Sequence, residues 1–288
     1  MGVVVNTNIS SITASRILSE NRADLEKAME RLASGKRINS AADDAAGMAV
    51  AAKMRADIGS LNQSVRNTND AISLVNTYDG AAAEIESILI RMRELAVQTR
   101  NGTYETADRT NANFEYTALK NEITRIAGVS AFNRMTVGQG SSGAAGGTGV
   151  ADTTFTFYVG SDVAKTGNSI AFAAKALDLN LAVSSGTLNS VADTTNAASA
   201  IATLDDAITE LAANRAQAGA LINRLEHTVS NLMNVSQRLQ EAVSGIEDAD
   251  YAAESANLAR GMVLAQAGTA MLAQANQAPQ YILSLLRG

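Results

Sequence analysis

An apolar seam between Ile201 and Ile246 constrains this chain more than any other feature. Its members are Ile201, Leu204, Ile208, Leu211, Ala218, Ile222, Leu225, Val229, Leu232, Leu239, Val243 and Ile246. The steps alternate between three and four, and only Arg215 and Ser236 hold that register without being apolar. Such spacing lays a narrow stripe along one side of a helix, as in a coiled-coil seam. No proline interrupts it. At ~1.5 Å per residue the helix would run roughly 70 Å, longer than most globular domains are wide. It cannot bury its stripe alone, so the rest of the chain must supply long partner helices.

Candidates for those partners are legible on both sides. Residues 6–34 read as a helix in which Leu18, Leu25 and Leu32 recur at seven, with Ile9, Ile12, Ile17 and Met29 broadening the face and Gly35 as the stop. A polar, small-residue turn follows from Arg37 to Met48, in which Asn39, Ser40 or Asp43 is placed to cap the next helix. Residues 44–100 carry a second long pattern. Ile58, Leu61, Val65, Ile72, Val75 and Ala82 hold one register, then Ile85, Ile88, Met92 and Leu95 carry the stripe, which reads as a stutter. A third helix is predicted over 105–127, closed by Gly128. Gly138 to Gly149 is rich in Gly, Ser and Ala. Thr153–Val159 and Ser169–Ala173 alternate like strands around a turn at 160–167, and Leu177 to Val183 alternates more weakly. Helix resumes near Val191, and a softer helical segment covers 250–286. The expected fold is therefore mainly α: an elongated antiparallel bundle or coiled coil of long helices with a small β-hairpin region.

Composition agrees with long helices packed through small residues. Trp is absent, aromatics make up 4% and there is one Pro. A net charge of -6 and a pI near 4.9 leave no basic stripe to neutralise phosphates, which argues against nucleic acid. Zero Cys excludes disulfides, thiol chemistry and cysteine-based zinc sites. Met1 to Ile12 lacks the basic and apolar regions of a cleaved signal peptide, and Asn6 stands where a myristoylation motif wants Ser or Thr. No apolar run approaches the length of a membrane span, so membrane insertion is not expected.

The terminal segments pose a different question. Each has an apolar stripe, yet neither is long enough to be stable as an isolated pair in water, and Gly261 and Gly268 weaken the last helix further. Either the pair simply docks on the body, or it orders against copies of itself. Self-complementary ends that do not close into a ring generate a helical filament.

The terminal sequences make the second reading specific. Asn6-Thr7-Asn8-Ile9-Ser10-Ser11, Glu30 to Ala41 and Asp43-Asp44-Ala45-Ala46-Gly47 resemble the amino-terminal signature of bacterial flagellin. Arg91-Met92-Arg93-Glu94-Leu95-Ala96-Val97-Gln98 is similar to the same family, as are Ile246 to Ala252, Gln274 to Gln280 and Leu283 to Arg287. The resemblance covers about residues 3–137 and 191–287. It implies a filament subunit in which 1–43 and 246–288 form an inner coiled-coil domain, 44–137 and 191–245 a long-helix domain, and 138–190 a short variable surface region. Filament assembly would then fall on Ile9, Leu18, Leu25, Leu32, Arg37, Asp43, Asp44, Leu258, Leu264, Leu272, Leu285 and Leu286.

The family's partners follow by the same resemblance: other copies of the chain, cap and hook-junction proteins, and an export chaperone at the carboxy-terminal segment. Location would be extracellular, in the flagellar filament, after type III export without a cleaved signal. Some flagellins are also ligands of Toll-like receptor 5; the matching positions are Arg91, Leu95, Gln98 and Glu115, while Ile90 departs from the usual Gln and Ala42 from a common Lys.

Enzyme chemistry finds no footing in the sequence. His227 is the only His and no metal-binding partner for it is apparent. Asp43-Asp44, at a helix start, suits cap and dipole duty better than acid–base work. The Gly138–Gly149 run lacks the Lys-Ser/Thr ending of a phosphate loop. No cofactor is expected. The alternatives to a filament subunit are a hook–filament junction protein and, from another class, a monomeric helical adhesin.

Overall fold

The structure, a computed structural model, describes residues 7–138, 153–160, 167–177 and 191–287, with side chains through 277. In chain order these form α1 (Ile9–Ser34), α2 (Ala45–Arg100), α3 (Thr106–Val129), β1 (Ala131–Phe132), β2 (Met135–Thr136), β3 (Thr153–Tyr158), β4 (Ser169–Ala174), α4 (Thr194–Glu247) and α5 (Tyr251–Arg287). The chain is mainly α, with two antiparallel hairpins, β1–β2 and β3–β4. Most of the Gly138–Gly149 run and the alternation after Leu177 lie outside the described residues. By compactness the chain divides into two units, 1–58 with 237–288 and 59–236.

In the unit of residues 59–236, α2 and α4 run antiparallel. Asn62 meets Ser236 at one end, and Arg93 meets Asp205 at the other. From Ile201 through Leu232, α4's seam alternates between half-buried and fully buried positions, with Leu204, Leu211, Ala218, Leu225 and Leu232 innermost. Both polar seam positions are answered from α2. Arg215 donates to Asp79 at 2.9 Å and to Glu86 at 2.5 Å, and Ser236 Oγ donates to Asn62 Oδ1 at 3.1 Å.

The stutter expected in α2 is not present. Its seam is Leu61, Ser64, Thr68, Ala71, Val75, Tyr78, Ala82, Ile85, Leu89, Met92, Ala96 and Thr99, all buried and stepping three and four without a slip. Apolar counting misses it because Ser64, Thr68 and Thr99 hold seam positions. Their hydroxyls return to carbonyls one turn back, at 3.0, 2.7 and 3.0 Å, so they need no water.

Three other expectations shift. Asp44 caps α2, accepting the Gly47 N–H at 2.8 Å, while Asp43 turns back to the N–H groups of Asn39 and Ser40. Gly128 lies inside α3, which continues to Val129. Ser130 ends it in extended backbone, with N–H and hydroxyl both donating to the Ile126 carbonyl. The hairpin β1–β2 turns on Asn133 and Arg134, both at positive φ (48° and 65°). That is a primed turn without the glycine that usually signals one.

The second hairpin lies where strands were expected. In β4, Ile170, Phe172 and Ala174 are buried and alternate with exposed Ser169, Ala171 and Ala173. Phe155 pairs with Phe172 and Phe157 with Ile170. Tyr78 of α2 holds this ribbon: its ring meets Phe172 edge-on at 5.4 Å and its hydroxyl donates to the Lys175 carbonyl at 3.0 Å.

Candidate assembly interface

In the other unit, α1 and α5 run antiparallel and meet closely, because of what α5 presents to the leucine heptad of α1. Glu254, Gly261, Gly268 and Ala275 recur at seven. A Cβ added at Gly268 would lie 3.2 Å from Leu18 Cδ1, and one at Gly261 would lie 3.4 Å from Leu25 Cδ1. The two glycines thus seat the leucines of α1. The sequence presents them as helix weakeners; the structure makes them contact positions. Polar bonds mark both ends of the pair. Asn8 Nδ2 donates to the Ala275 carbonyl at 2.7 Å and Ser11 Oγ to Asn276 Oδ1 at 2.6 Å. At the far end Arg31 donates to Glu254 at 2.9 Å, Asn257 to the same carboxylate at 2.8 Å, and the Tyr251 hydroxyl to the Leu32 carbonyl at 3.1 Å. Asn257 first, then Arg31, holds the Glu254 carboxyl below its ordinary range.

The pair leaves much apolar surface uncovered. Leu18 and Ala28 are the buried residues of α1. Ile9, Ile17, Val263, Leu264 and Met271 are between 50% and 67% exposed. A groove of about 680 Å³ runs between the helices, lined by Ile9, Thr13, Ile17, Leu18, Leu264, Gly268 and Met271 among others. Gly268, which carries no side chain, is among the residues that line it.

A knot of backbone and charge ties the inner ends of these helices together. Gly35, at φ 71°, closes α1 in the left-handed conformation that glycine adopts freely. The chain then pairs with the end of α4: the backbone of Lys36 forms an antiparallel β-bridge with that of Asp248, Arg37 N–H donates to the Glu247 carbonyl at 2.6 Å, and Ala249 N–H donates to the Gly35 carbonyl at 3.0 Å. The Glu247 side chain, 5% exposed, takes Arg55 in close contact and Lys36 at 3.8 Å. Asp43 accepts from Ser40 N–H, Ser40 hydroxyl and Asn39 N–H, which keeps its carboxyl below the ordinary range.

The residues singled out from the sequence therefore take different places. Leu18 is buried; Leu25, Leu32, Leu258 and Leu272 are half-buried; Ile9 and Leu264 line the groove. Arg37 donates to the Ile246 carbonyl at 2.7 Å and stands 4.0 Å from Asp44. Leu285 and Leu286 lie in α5, but their side chains are outside the described residues. Sequence reasoning takes Gly261 and Gly268 only as helix weakeners and misses Glu254 and Glu247. The seven-residue spacing 254–261–268–275 was the available signal for the first three.

In the unit of residues 59–236, Arg91 bridges Glu115 at 2.8 Å and Glu94 at 3.0 Å, and Gln98 donates to the Tyr104 hydroxyl at 3.2 Å. Leu95 is 2% exposed and belongs to the core. The exposed apolar residues adjacent in sequence to Arg91 and Glu115 are Ile90 and Phe114. Among the described residues no helix is long and apolar enough to cross a membrane.

Residues 5–142 match the bacterial flagellin N-terminal helical region and residues 201–286 the bacterial flagellin C-terminal helical region. A flagellin of Halalkalibacterium halodurans is 42% identical over 287 residues, covering 99% of this chain and 100% of that protein. The flagellar filament 33 kDa core protein of Treponema phagedenis is 38% identical over 286 residues, at 99% and 100% coverage. The crystal structure of Bacillus cereus flagellin aligns with 58% of this chain and 88% of its own, at 34% identity and a TM-score of 0.47. The chain belongs to the bacterial flagellin family. Its near full-length match to proteins of its own size makes it a short flagellin without a large outer domain.

Proposed function

We infer that this chain is a structural subunit that polymerises into the bacterial flagellar filament for motility. The observation that carries the mechanism is the uncovered apolar face of the α1–α5 pair. Exposed Ile9, Ile17, Val263, Leu264 and Met271 lie on helices that bury little else between them. Covering the exposed half of one such side chain contributes about 1 kcal/mol. Several per subunit, repeated along a lattice, offset the cost of association. The terminal segments 1–43 and 246–288 form the inner domain in this reading, 44–137 and 191–245 the long-helix domain, and 138–190 the outward surface.

Export through the flagellar type III apparatus, a chaperone on the carboxy-terminal segment, and cap and hook-junction neighbours belong to the same proposal. So does extracellular location. Recognition of the monomer by Toll-like receptor 5 would use Arg91, Gln98 and Glu115. Leu95, being buried, would contribute by holding α2 rather than by contact.

Electron microscopy tests the central claim. Full-length protein should form filaments after concentration and seeding, and a fragment cut to residues 45–240 should not. Leu264→Asp/Met271→Asp should keep native helicity by circular dichroism and lose filaments. Filaments from that double variant would refute assembly through the groove.

A further inference from the structure

Two unbroken heptad seams face each other in α2 and α4, and that creates a problem of register. If α4 moved by one heptad along α2, every seam position would again meet a seam position. A uniformly apolar seam cannot tell the two arrangements apart; polar layers can.

Within residues 59–236 three polar layers join these helices, and they agree on one alignment. From Asn62 to Arg93 is 31 residues, and from Asp205 to Ser236 is also 31. Arg215 falls between them, opposite position 83, and reaches Asp79 on one side and Glu86 on the other. Now move α4 one heptad toward the C-terminal end of α2. Ser236 passes from Asn62 to Asn69, and Asp205 passes from Arg93 to Arg100. Both layers are as well satisfied as before. Arg215 is not: it passes from Asp79 and Glu86 to Glu86 and Arg93, exchanging a carboxylate for a second guanidinium. A heptad in the other direction sets Arg215 against Ile72 and Asp205 against Glu86.

We propose that Arg215, held between Asp79 and Glu86, is a register lock of the α2–α4 pair within residues 59–236: of the three polar layers there, it is the one that rejects the slip the other two would accept. Its two carboxylates lie seven residues apart on α2, so the guanidinium is satisfied on both sides only in the observed alignment. This accounts for an arginine in a seam that is apolar but for Ser236, at a position where a leucine would pack. The device works within a single chain and does not depend on polymerisation.

The chain has no cysteine, so introduced thiols report cleanly. The pair Asn62→Cys/Ser236→Cys should form an intramolecular disulfide quickly, marking the observed register, and Asn69→Cys/Ser236→Cys should form one slowly. Adding Arg215→Leu should raise the yield of the second pair after refolding by roughly tenfold. A second variant moves the carboxylates instead. Asp79→Ala/Arg93→Glu leaves them at positions 86 and 93, and should make the 69–236 disulfide the dominant one. If Arg215→Leu unfolds the chain, that relocation decides the matter. Should Arg55 with Glu247, or Tyr78 with the β3–β4 ribbon, fix the register unaided, both backgrounds will cross-link as the parent does, and the lock is refuted.

Discussion

Replacing Gly47 by alanine sets two opposed effects against each other. In a helix, alanine is favoured over glycine by about 1 kcal/mol. Gly47 lies in the first turn of α2, so propensity alone predicts a gain. The surroundings predict a loss. The new Cβ would fall 2.4 Å from Asp44 Oδ2 and 2.9 Å from Ile38 Cδ1. Turning the Asp44 side chain away breaks the 2.8 Å bond by which it caps α2, and a lost cap costs about 1 kcal/mol. Ile38 is 4% exposed, so it has little room to yield; overpacking of this kind costs ~1–3 kcal/mol. The losses win, leaving Gly47→Ala less stable by ~1–3 kcal/mol. Gly245→Ala is the control. It lies in the same compact unit, in α4, with nothing within 4 Å of the added Cβ, and should gain ~0.5–1 kcal/mol. Urea unfolding followed by circular dichroism reads both as midpoint shifts at constant slope. If Gly47→Ala shifts upward alongside Gly245→Ala, then the close approach of Asp44 and Ile38 does not govern this turn.

Two tyrosines should respond oppositely to loss of their hydroxyl. Tyr78→Phe removes the bond to Lys175 and should cost about 1 kcal/mol, whereas Tyr116, whose buried hydroxyl has no partner among the described residues, should be neutral or gain stability as Phe; thermal melts showing equal losses would contradict this. The same burial pushes the Tyr116 phenol up to about 12, so its absorbance should not titrate near pH 10 while the fold persists. Glu254, with its carboxyl held low in the folded chain, contributes stability that is present above its ordinary pKa of 4.5 and lost as pH falls through the lower folded value. Glu254→Gln should therefore loosen α5 toward protease at pH 7, by about one charge-assisted bond, and the gap from the parent should close at lower pH; a gap unchanged down to pH 3 would rule out this linkage.

What could be read from the sequence was whatever announces itself by apolar spacing. The α4 seam is the clear case: from Ile201 to Ile246 none of its positions is exposed. The α2 seam obeys the same geometry and was misread, since burial there is achieved by other means. Thr68 and Thr99 bury a hydroxyl by returning it to their own helix, and Ala71 and Ala82 bury almost no side chain at all. Gly261 and Gly268 were misjudged for a related reason. Helix propensity scores a residue against solvent, whereas these two are scored against Leu25 and Leu18. Reading seams as complementary pairs, large residues at seven on one helix facing small ones at seven on the other, would have found both. That view also separates two of the places where α-helices meet in this chain. In α1–α5, small residues let the helices approach, and the apolar groove between them asks for further partners. In α2–α4, large and small residues together close the seam, and the polar exceptions decide its alignment. The first pair is suited to joining copies, the second to keeping one copy in a single arrangement while it is joined.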